Sequence, residues 1–383
     1  MGRSVTLLHT ADVHLGASFP YLGPRGRDHR WQVGETFRRV AEEALSRRVE
    51  LFVVAGDLFD SPSPSRSSVE VALGVLQRLG EAGVTVVVAP GTHDHDGPES
   101  IWRLVPFEER IPGLQLLIGD GVVERSLPAL GVTIVARPNT TNASPESPLR
   151  GVRGQGRDGL VIGLAHGSVA VGDHISQGDF PITPEEISSS GLNYLALGHW
   201  HKPADYSQGG VCAWYSGAPE VLYPRDVGAG RALLVTVSER ETLVEPIAVG
   251  RCRAKRLTLS VEDHPEVSTL EAAVRAEADP DLLLDVTLSG LKPLDCSWTA
   301  HTLDEVEVSL APHFYFVRIT DGAHPRLDAE ALGRYPEPTV AGRFVRLMAD
   351  RLDGVQGDEE RRSVEEALQM GLALLEGREG VLG

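Results

Sequence analysis

Val5-Thr6-Leu7-Leu8-His9-Thr10-Ala11-Asp12-Val13-His14 begins as an apolar run of strand length and ends on two residues of metal-ligand type. The same order recurs along the chain. Residues 51–55 run into Gly56-Asp57, and residues 84–89 into Gly91-Thr92-His93-Asp94. Residues 160–165 run into His166-Gly167, and residues 194–197 into Gly198-His199-Trp200-His201. Short β-branched runs bounded by Gly and polar residues read as buried strands. In open α/β sheets the loops at the carboxyl ends of strands converge on one crevice. Five strand ends, each bringing Asp or His, are therefore expected to meet in one place.

The intervening segments read as helices. Phe37, Val40, Ala41, Ala44 and Leu45 fall at helical spacing, as do Val69, Leu73, Leu76 and Leu79. The β-α-β-α-β order predicts an α/β sheet covered on both faces, continued by a strand at 132–136. Residues 137–158 are rich in Pro, Ser, Asn, Gly and Arg and predict a long exposed loop. From about 210 to 249 the pattern is mostly strand with Gly-rich turns. A second unit is expected from near Arg253, with strands at 257–261, 282–288 and 314–320 and helices at 268–278 and 302–310. That makes a compact βαβαβ module. A linker with Pro336 and Pro338 leads to two helical stretches, the last carrying an apolar stripe of Val364, Leu368, Leu372 and Leu375.

The chain has 383 residues, 42% hydrophobic and 23% charged, with a formal net charge of −18. That charge argues against a chain that binds nucleic acid through its overall field. Arginines do cluster locally: Arg25, Arg27 and Arg30 in one early loop, Arg150, Arg153 and Arg157 in another. Cys212, Cys252 and Cys296 have no metal-binding spacing and make no disulfide framework, which points to a reducing cytoplasm. No apolar run reaches membrane-spanning length, and no secretory pattern is present. Met1-Gly2-Arg3-Ser4-Val5-Thr6 matches a myristoylation pattern, but these residues are needed for the first strand.

Carboxylates and imidazoles without thiolates suit borderline divalent ions rather than a structural zinc site. A pair of such ions suits phosphoester hydrolysis, where they stabilise charge developing on phosphoryl oxygens. Each motif alone is weak. Gly-His-x-His is stronger, because alternate residues of an extended segment face one side. The ordered set of five decides the reading.

That ordered set, Asp-x-His, Gly-Asp, Gly-Thr-His-Asp, His and Gly-His-x-His, resembles the calcineurin-like metallophosphoesterases. In finer detail the chain resembles SbcD-type DNA-repair exonucleases. The resemblance lies in residues 9–16, in Ala55-Gly56-Asp57-Leu58-Phe59-Asp60-Ser61-Pro62-Ser63-Pro64-Ser65, in residues 195–203 and in Tyr215-Ser216-Gly217-Ala218-Pro219. It covers about residues 4–250. It implies a four-layer α-β-β-α metallophosphoesterase sandwich over 1–250, a smaller βαβαβ capping domain over 251–328 and a C-terminal helical partner-docking region over 329–383.

It also implies two divalent metal ions, Mn2+ foremost, with Fe or Zn as the other candidates. Asp12, His14, Asp57 and His201 would hold the first, and Asp57, His166 and His199 the second, with Asp57 bridging. His93 would be the general acid, oriented by Asp94. The family pattern has Asn where this chain has Thr92, a shorter and weaker donor, so a weaker second site is expected unless Asp94, His95 or Asp96 compensates. The implied activity is a DNA exo- or endonuclease in DNA repair. The implied partners are DNA, an SbcC-like ABC ATPase and a second copy of the chain. A small-substrate phosphodiesterase or phosphatase of the same fold, or a catalytically weakened DNA-end-binding scaffold, are the alternatives.

Overall fold

The computed structural model describes residues 3–157, 159–170, 178–292, 300–325, 335–355 and 357–375. Met1 and Gly2 of the myristoylation pattern, Asp158, Cys296, and residues 329–334 and 376–383 of the expected docking region lie outside these. The chain divides into two compact units, Met1–Ala254 and Lys255–Gly383.

The first unit is built on two six-stranded sheets. Its strands are β1 (Ser4–Thr10), β2 (Leu51–Ala55), β3 (Thr85–Ala89), β4 (Leu114–Leu116), β5 (Val123–Leu127) and β6 (Val132–Ala136). There follow β7 (Leu160–His166), β8 (Tyr194–Gly198), β9 (Ala204–Asp205), β10 (Cys212–Tyr215), β11 (Arg231–Ser238) and β12 (Thr242–Ala248). One sheet has the order β12-β11-β1-β2-β3-β4 and the other β5-β6-β7-β8-β10-β9. In the first, β1 to β4 are parallel, and β11 returns antiparallel to β1. In the second, β6, β7, β8 and β10 are parallel.

Residues of one face of each sheet share a core. Leu7, Val53, Val87 and Val235 belong to the same buried cluster as Ile134, Ile162, Leu164 and Ala196. Each such side chain contributes about 1.5–3 kcal/mol by leaving water. His9 of β1 also joins the sheets, with Nδ1 2.8 Å from the Tyr194 hydroxyl of β8.

Helices α1 (Gly26–Ser46) and α2 (Arg66–Glu81) bury the apolar positions that their spacing marks, including Phe37, Val40, Ala44, Val69, Leu73 and Leu76. Ser65 caps α2 by accepting from the Ser68 N–H. Short helices α3 (Ile101–Leu104) and α4 (Phe107–Arg110) follow β3. On the second sheet the outer layer is thin. It consists of α5 (Pro184–Ser190), started by a Thr183–Glu186 capping box, and of packed loop.

Two loop expectations are corrected. Residues 137–157 form no regular element, but the segment is not simply exposed. Leu149 and Val152 are fully buried in a core cluster with Val161, Ile187 and Leu195. Two apolar residues among polar ones suffice to pin a loop to a sheet, and composition averaged over the segment hides them. Arg27 and Arg30 lie on α1 rather than in a loop. The helix starts at Gly26, where a Cβ would meet the Phe19 carbonyl oxygen at 2.6 Å.

In the second unit, β13 (Arg253–Ser260), α6 (Val267–Arg275), β14 (Asp279–Ser289), β15 (Leu291–Lys292), α7 (Ala300–Leu310), β16 (Phe314–Asp321) and β17 (His324–Pro325) follow in order. The three-stranded sheet β13-β14-β16 and helices α6 and α7 enclose their own core, with Leu270, Leu284, Val306 and Ile319 buried. Helices α8 (Val340–Gly354) and α9 (Asp358–Leu375) pair through Val345, Leu368 and Leu372. Leu368 and Leu372 of the apolar stripe are therefore spent on this helix pair, while Leu375 is exposed. Gly371 allows the close approach, since a Cβ there would stand 2.2 Å from the Phe344 ring. No helix among the described residues is long and apolar enough to cross a membrane.

Candidate metal centre

The carboxyl ends of β1, β2 and β3 from one sheet meet those of β7 and β8 from the other. Backbone bonds lock the first two loops together: Asp12 N–H donates to Gly56 O at 3.1 Å and His14 N–H to Asp57 O at 3.0 Å. Among the described residues six non-glycine residues have positive φ, and four carry expected donors: Asp12 (54°), His14 (52°), Asp57 (52°) and His199 (112°). Such backbone costs on the order of 1–3 kcal/mol per residue and persists where the surroundings over-determine it. Here it turns carboxylates and imidazoles inward at the ends of buried strands.

Asp12, Asp57, His14 and His166 are buried. Ligand-type atoms of Asp12, His14 and His201 lie within 4.8 Å of one another, as do those of Asp12, Asp57 and His166 and those of His14, Asp60 and His93. Asp57 Oδ2 stands 3.2 Å from His166 Nε2 and 3.7 Å from His14 Nε2. Asp12 is common to two of these groups, and Asp57 lies between His14 and His166. The Thr92 hydroxyl donates to Asp57 Oδ2 at 3.3 Å, so its side chain faces the cluster.

His199 is placed differently. Its ring is 5.3 Å from that of His166, but Nε2 pairs with Asp179 Oδ1 at 2.9 Å and joins none of the three groups. The hydrogen bond from His199 is the main reason the Asp179 carboxyl titrates below its ordinary range.

Burial is the largest influence on the His166 imidazole and lowers its pKa, but Asp57 and Asp12 more than offset it and push it up to about 9. Burial raises Asp57, and His166, His14 and His93 together outweigh burial and hold it far below the carboxylate range. His201 is also raised: burial works against this, and the Asp226 carboxylate, 3.0 Å from Nδ1, prevails.

Residues 5–203, just over half of the chain, match the calcineurin-like phosphoesterase family. The chain belongs to that family. Among curated relatives, the DNA double-strand break repair protein Mre11 of Aeropyrum pernix is 29% identical over 276 residues, 67% of this chain and 64% of that protein. The uncharacterised metallophosphoesterase YhaO of Bacillus subtilis is 26% identical over 279 residues, 67% of this chain and 66% of the relative. The SbcD component of the nuclease SbcCD from Rhodobacter capsulatus is 26% identical over 272 residues, 58% of this chain and 64% of the relative. The chain thus spans about two thirds of the length of these relatives.

Calcineurin-like phosphoesterases bind divalent metal ions, and the donor set here fits that role. The Nε2 atoms of His14 and His166 are buried without a hydrogen-bond partner. His166 Nε2 is near Asp57 Oδ2, but off the line a hydrogen bond needs. Buried polar atoms without partners are rare and call for an explanation. Both point at carboxylates, which is where a cation would sit. The other ring nitrogens are tied outward: His166 Nδ1 to Ala55 O at 2.9 Å, His14 Nδ1 to Asp60 at 3.0 Å and His201 Nδ1 to Asp226. Such partners fix the ring and leave Nε2 for a metal.

The expected role of Asp94 is corrected. Its buried carboxylate accepts from the N–H groups of Gly91 (2.7 Å), Phe59 (3.1 Å) and Asp57 (3.3 Å), and makes no hydrogen bond to the His93 ring. Burial first, then the nearby Asp57, raise it to about 7. It fastens the β3 loop to the β2 loop. His93 faces Asp60, with Nδ1 3.4 Å from the Asp60 main-chain oxygen and 3.6 Å from Oδ1. Neither His95 nor Asp96 joins the three donor groups: His95 bonds the Thr92 carbonyl oxygen, and Asp96 is engaged by Arg103 and the Gly119 N–H. Asp60, Asp179 and Asp226 are the residues that sequence reasoning missed. Asp60 sits inside the quoted Gly56-Asp57-Leu58-Phe59-Asp60 stretch, and its spacing from Asp57 was the available signal.

Proposed function

We propose that this chain is a metal-dependent nuclease that hydrolyses phosphodiester bonds in DNA during repair, with an SbcC-like ABC ATPase as partner. The observation that carries the reading is the convergence of Asp12, His14, Asp57, His166 and His201 with His93 at its edge. The name of the Aeropyrum relative supports the choice of DNA, and that of the Rhodobacter relative supports a nuclease.

Asp12, His14, Asp57, His166 and His201 would hold two divalent ions, Mn2+ foremost, with Thr92 and His199 completing the second position. When bound, such ions neutralise a phosphoryl group and stabilise the charge that develops on its oxygens. The chain's own residues do the rest. His93 is half exposed; as an imidazolium, with its Nδ1–H turned to the Asp60 oxygens, it would give its Nε2 proton to the departing oxygen. Asp60 orients the His93 and His14 rings together, since its Oδ1 faces Nδ1 of both. Residues 1–250 would form the phosphoesterase domain, 251–328 a capping domain and 329–383 a region that docks on the ATPase. A homodimer in the cytoplasm completes this reading.

The test is cleavage of a labelled DNA hairpin under Mn2+ titration, with Asp57→Ala as control. Mn2+-dependent cutting that disappears in the variant is the expected result. A second reading is favoured by the net charge of −18, which repels polyanions: a phosphodiesterase for small substrates. Hydrolysis of bis-p-nitrophenyl phosphate with hairpin DNA left intact would establish it in place of the first.

A further inference from the structure

Beyond β10 the chain turns through Tyr223-Pro224-Arg225-Asp226 against the His201 side of the metal centre. Asp226 Oδ2 accepts from the Tyr223 N–H at 3.0 Å and pairs with His201 Nδ1 at 3.0 Å. The Asp226 N–H donates back to Tyr223 O at 2.9 Å. The turn is thus closed on itself and fastened to a candidate metal ligand, and Pro224 removes one backbone freedom. The Tyr223 ring runs nearly parallel to that of His201, at 9° and 6.4 Å between centroids, and the Tyr21 ring lies 6.0 Å away. Tyr21 is itself anchored, its hydroxyl donating to Leu222 O at 2.6 Å.

Arg225 lies over this group, with Cζ 4.6 Å from the Tyr223 centroid. Its side chain is at the surface. Among the described residues no carboxylate forms an ion pair with it, although the chain carries 54 Asp and Glu. A guanidinium held over an aromatic face has lost much of its rotamer freedom already, while its N–H groups keep the donors that match a phosphate. Core packing does not account for an arginine held this way beside a metal centre.

We propose that Arg225, held by Tyr223, anchors a second phosphate group of a polynucleotide, one that flanks the scissile phosphate. The proposal rests on the nuclease reading and deepens it: the substrate is recognised as a chain of phosphates, not as an isolated ester. Tyr223 is a positioning residue that acts through Arg225.

The test compares wild type, Arg225→Ala, Arg225→Lys and Tyr223→Phe under Mn2+ on three substrates: a single-stranded thymidine oligonucleotide, bis-p-nitrophenyl phosphate and ATP. One charge-assisted phosphate contact corresponds to a KM increase of about ten- to hundredfold for Arg225→Ala on the oligonucleotide, with kcat changed far less. The loss on the one-phosphate ester is expected to be at least about tenfold smaller. Oligonucleotide affinity, followed by fluorescence anisotropy, should lose about 0.7 from the slope of log K against log salt, the share of one contact on a single strand. Arg225→Lys should recover only part of the affinity, and Tyr223→Phe, which keeps the ring face, most of it.

Equal losses on oligonucleotide and ester would mean that Arg225 acts only through His201, and would overturn the proposal. An unchanged salt slope would do the same, as would a loss confined to ATP, which would assign the second phosphate to a polyphosphate. If wild type hydrolyses the ester but no DNA, the nuclease reading fails, and the anisotropy slope still decides whether Arg225 holds a polynucleotide phosphate.

Discussion

Thr92 and His93 sit side by side and test different parts of the site. The Thr92 hydroxyl already reaches Asp57 at 3.3 Å, so a longer amide at this position would extend further into the donor cluster. Thr92→Asn is expected to tighten Mn2+ binding by about tenfold, the scale on which single partners tune metal sites. Calorimetric titration measures it, and an unchanged affinity would show that Thr92 is no weak point. In the proposed function His93 acts on the leaving group. His93→Ala should lower kcat by about 10²–10⁴-fold on a DNA phosphodiester, whose alkoxide needs a proton, and much less on a p-nitrophenyl ester, whose phenolate leaves without one. Equal losses on both would give His93 a structural role. Which donors gather was legible in the sequence, because each of Asp12, Asp57, His166 and His201 follows a strand of one α/β pattern. The partners Asp60, Asp179 and Asp226 were not, because loop conformation decides whether a carboxylate reaches a ring. Asp94 shows the reverse: adjacent to His93 in sequence, it is bound by three backbone N–H groups instead.

At the scale of elements, apolar strands ending in polar residues were readable almost to the residue, since burial of β2 and β7 is continuous along each strand. The packed course of residues 137–157 was not, because two residues, Leu149 and Val152, pin a segment whose composition is otherwise that of an exposed loop. The contact between β1 and β8 carries a pH dependence. His9 is buried, and burial is the main cause that lowers its pKa from 6.5 to about 3, against a hydrogen bond with the Leu197 backbone. The unfolded chain therefore takes up a proton below about pH 6.5 that the native chain refuses until about 3. This contribution to stability is present above pH 6.5 and is lost as the pH falls through that window. At about 1.4 kcal/mol per pH unit, roughly 2 kcal/mol is lost between pH 6.5 and 5. Urea unfolding in chelator, followed by tryptophan fluorescence, should show that difference, and His9→Asn should remove it. If the variant loses as much stability on acidification as wild type, the acid sensitivity belongs to another group. His29 is one candidate, since burial lowers it too.

At the scale of the molecule, the candidate metal donors and the core beneath them belong to one unit. All the donors lie between Asp12 and Asp226, within Met1–Ala254, and the shared core of the two sheets draws on residues from Val5 to Val244. The second unit closes its own core around Leu270, Leu284 and Ile319. The end of the first unit is also tied down from within. The carboxylate of the buried Glu220 accepts from the Arg251 and Cys252 N–H groups at 3.0 and 2.9 Å and from the Thr36 hydroxyl at 2.6 Å, which holds residues 251–252 against α1. A chain cut after Ala254 keeps every one of these bonds, while one cut before Arg251 leaves a buried carboxylate short of two donors, a loss of about 1–3 kcal/mol for each hydrogen bond to the charged group. The expected outcome is that residues 1–254 unfold in one cooperative transition and bind Mn2+ with the affinity of the full chain, whereas residues 1–249 are markedly less stable. Thermal unfolding and calorimetric titration of the two fragments measure this. Weakened Mn2+ binding in the longer fragment would mean that residues beyond 254 support the metal centre. If DNA cleavage is lost from that fragment while ester hydrolysis remains, the second unit acts on the polymer and not on the bond that is broken.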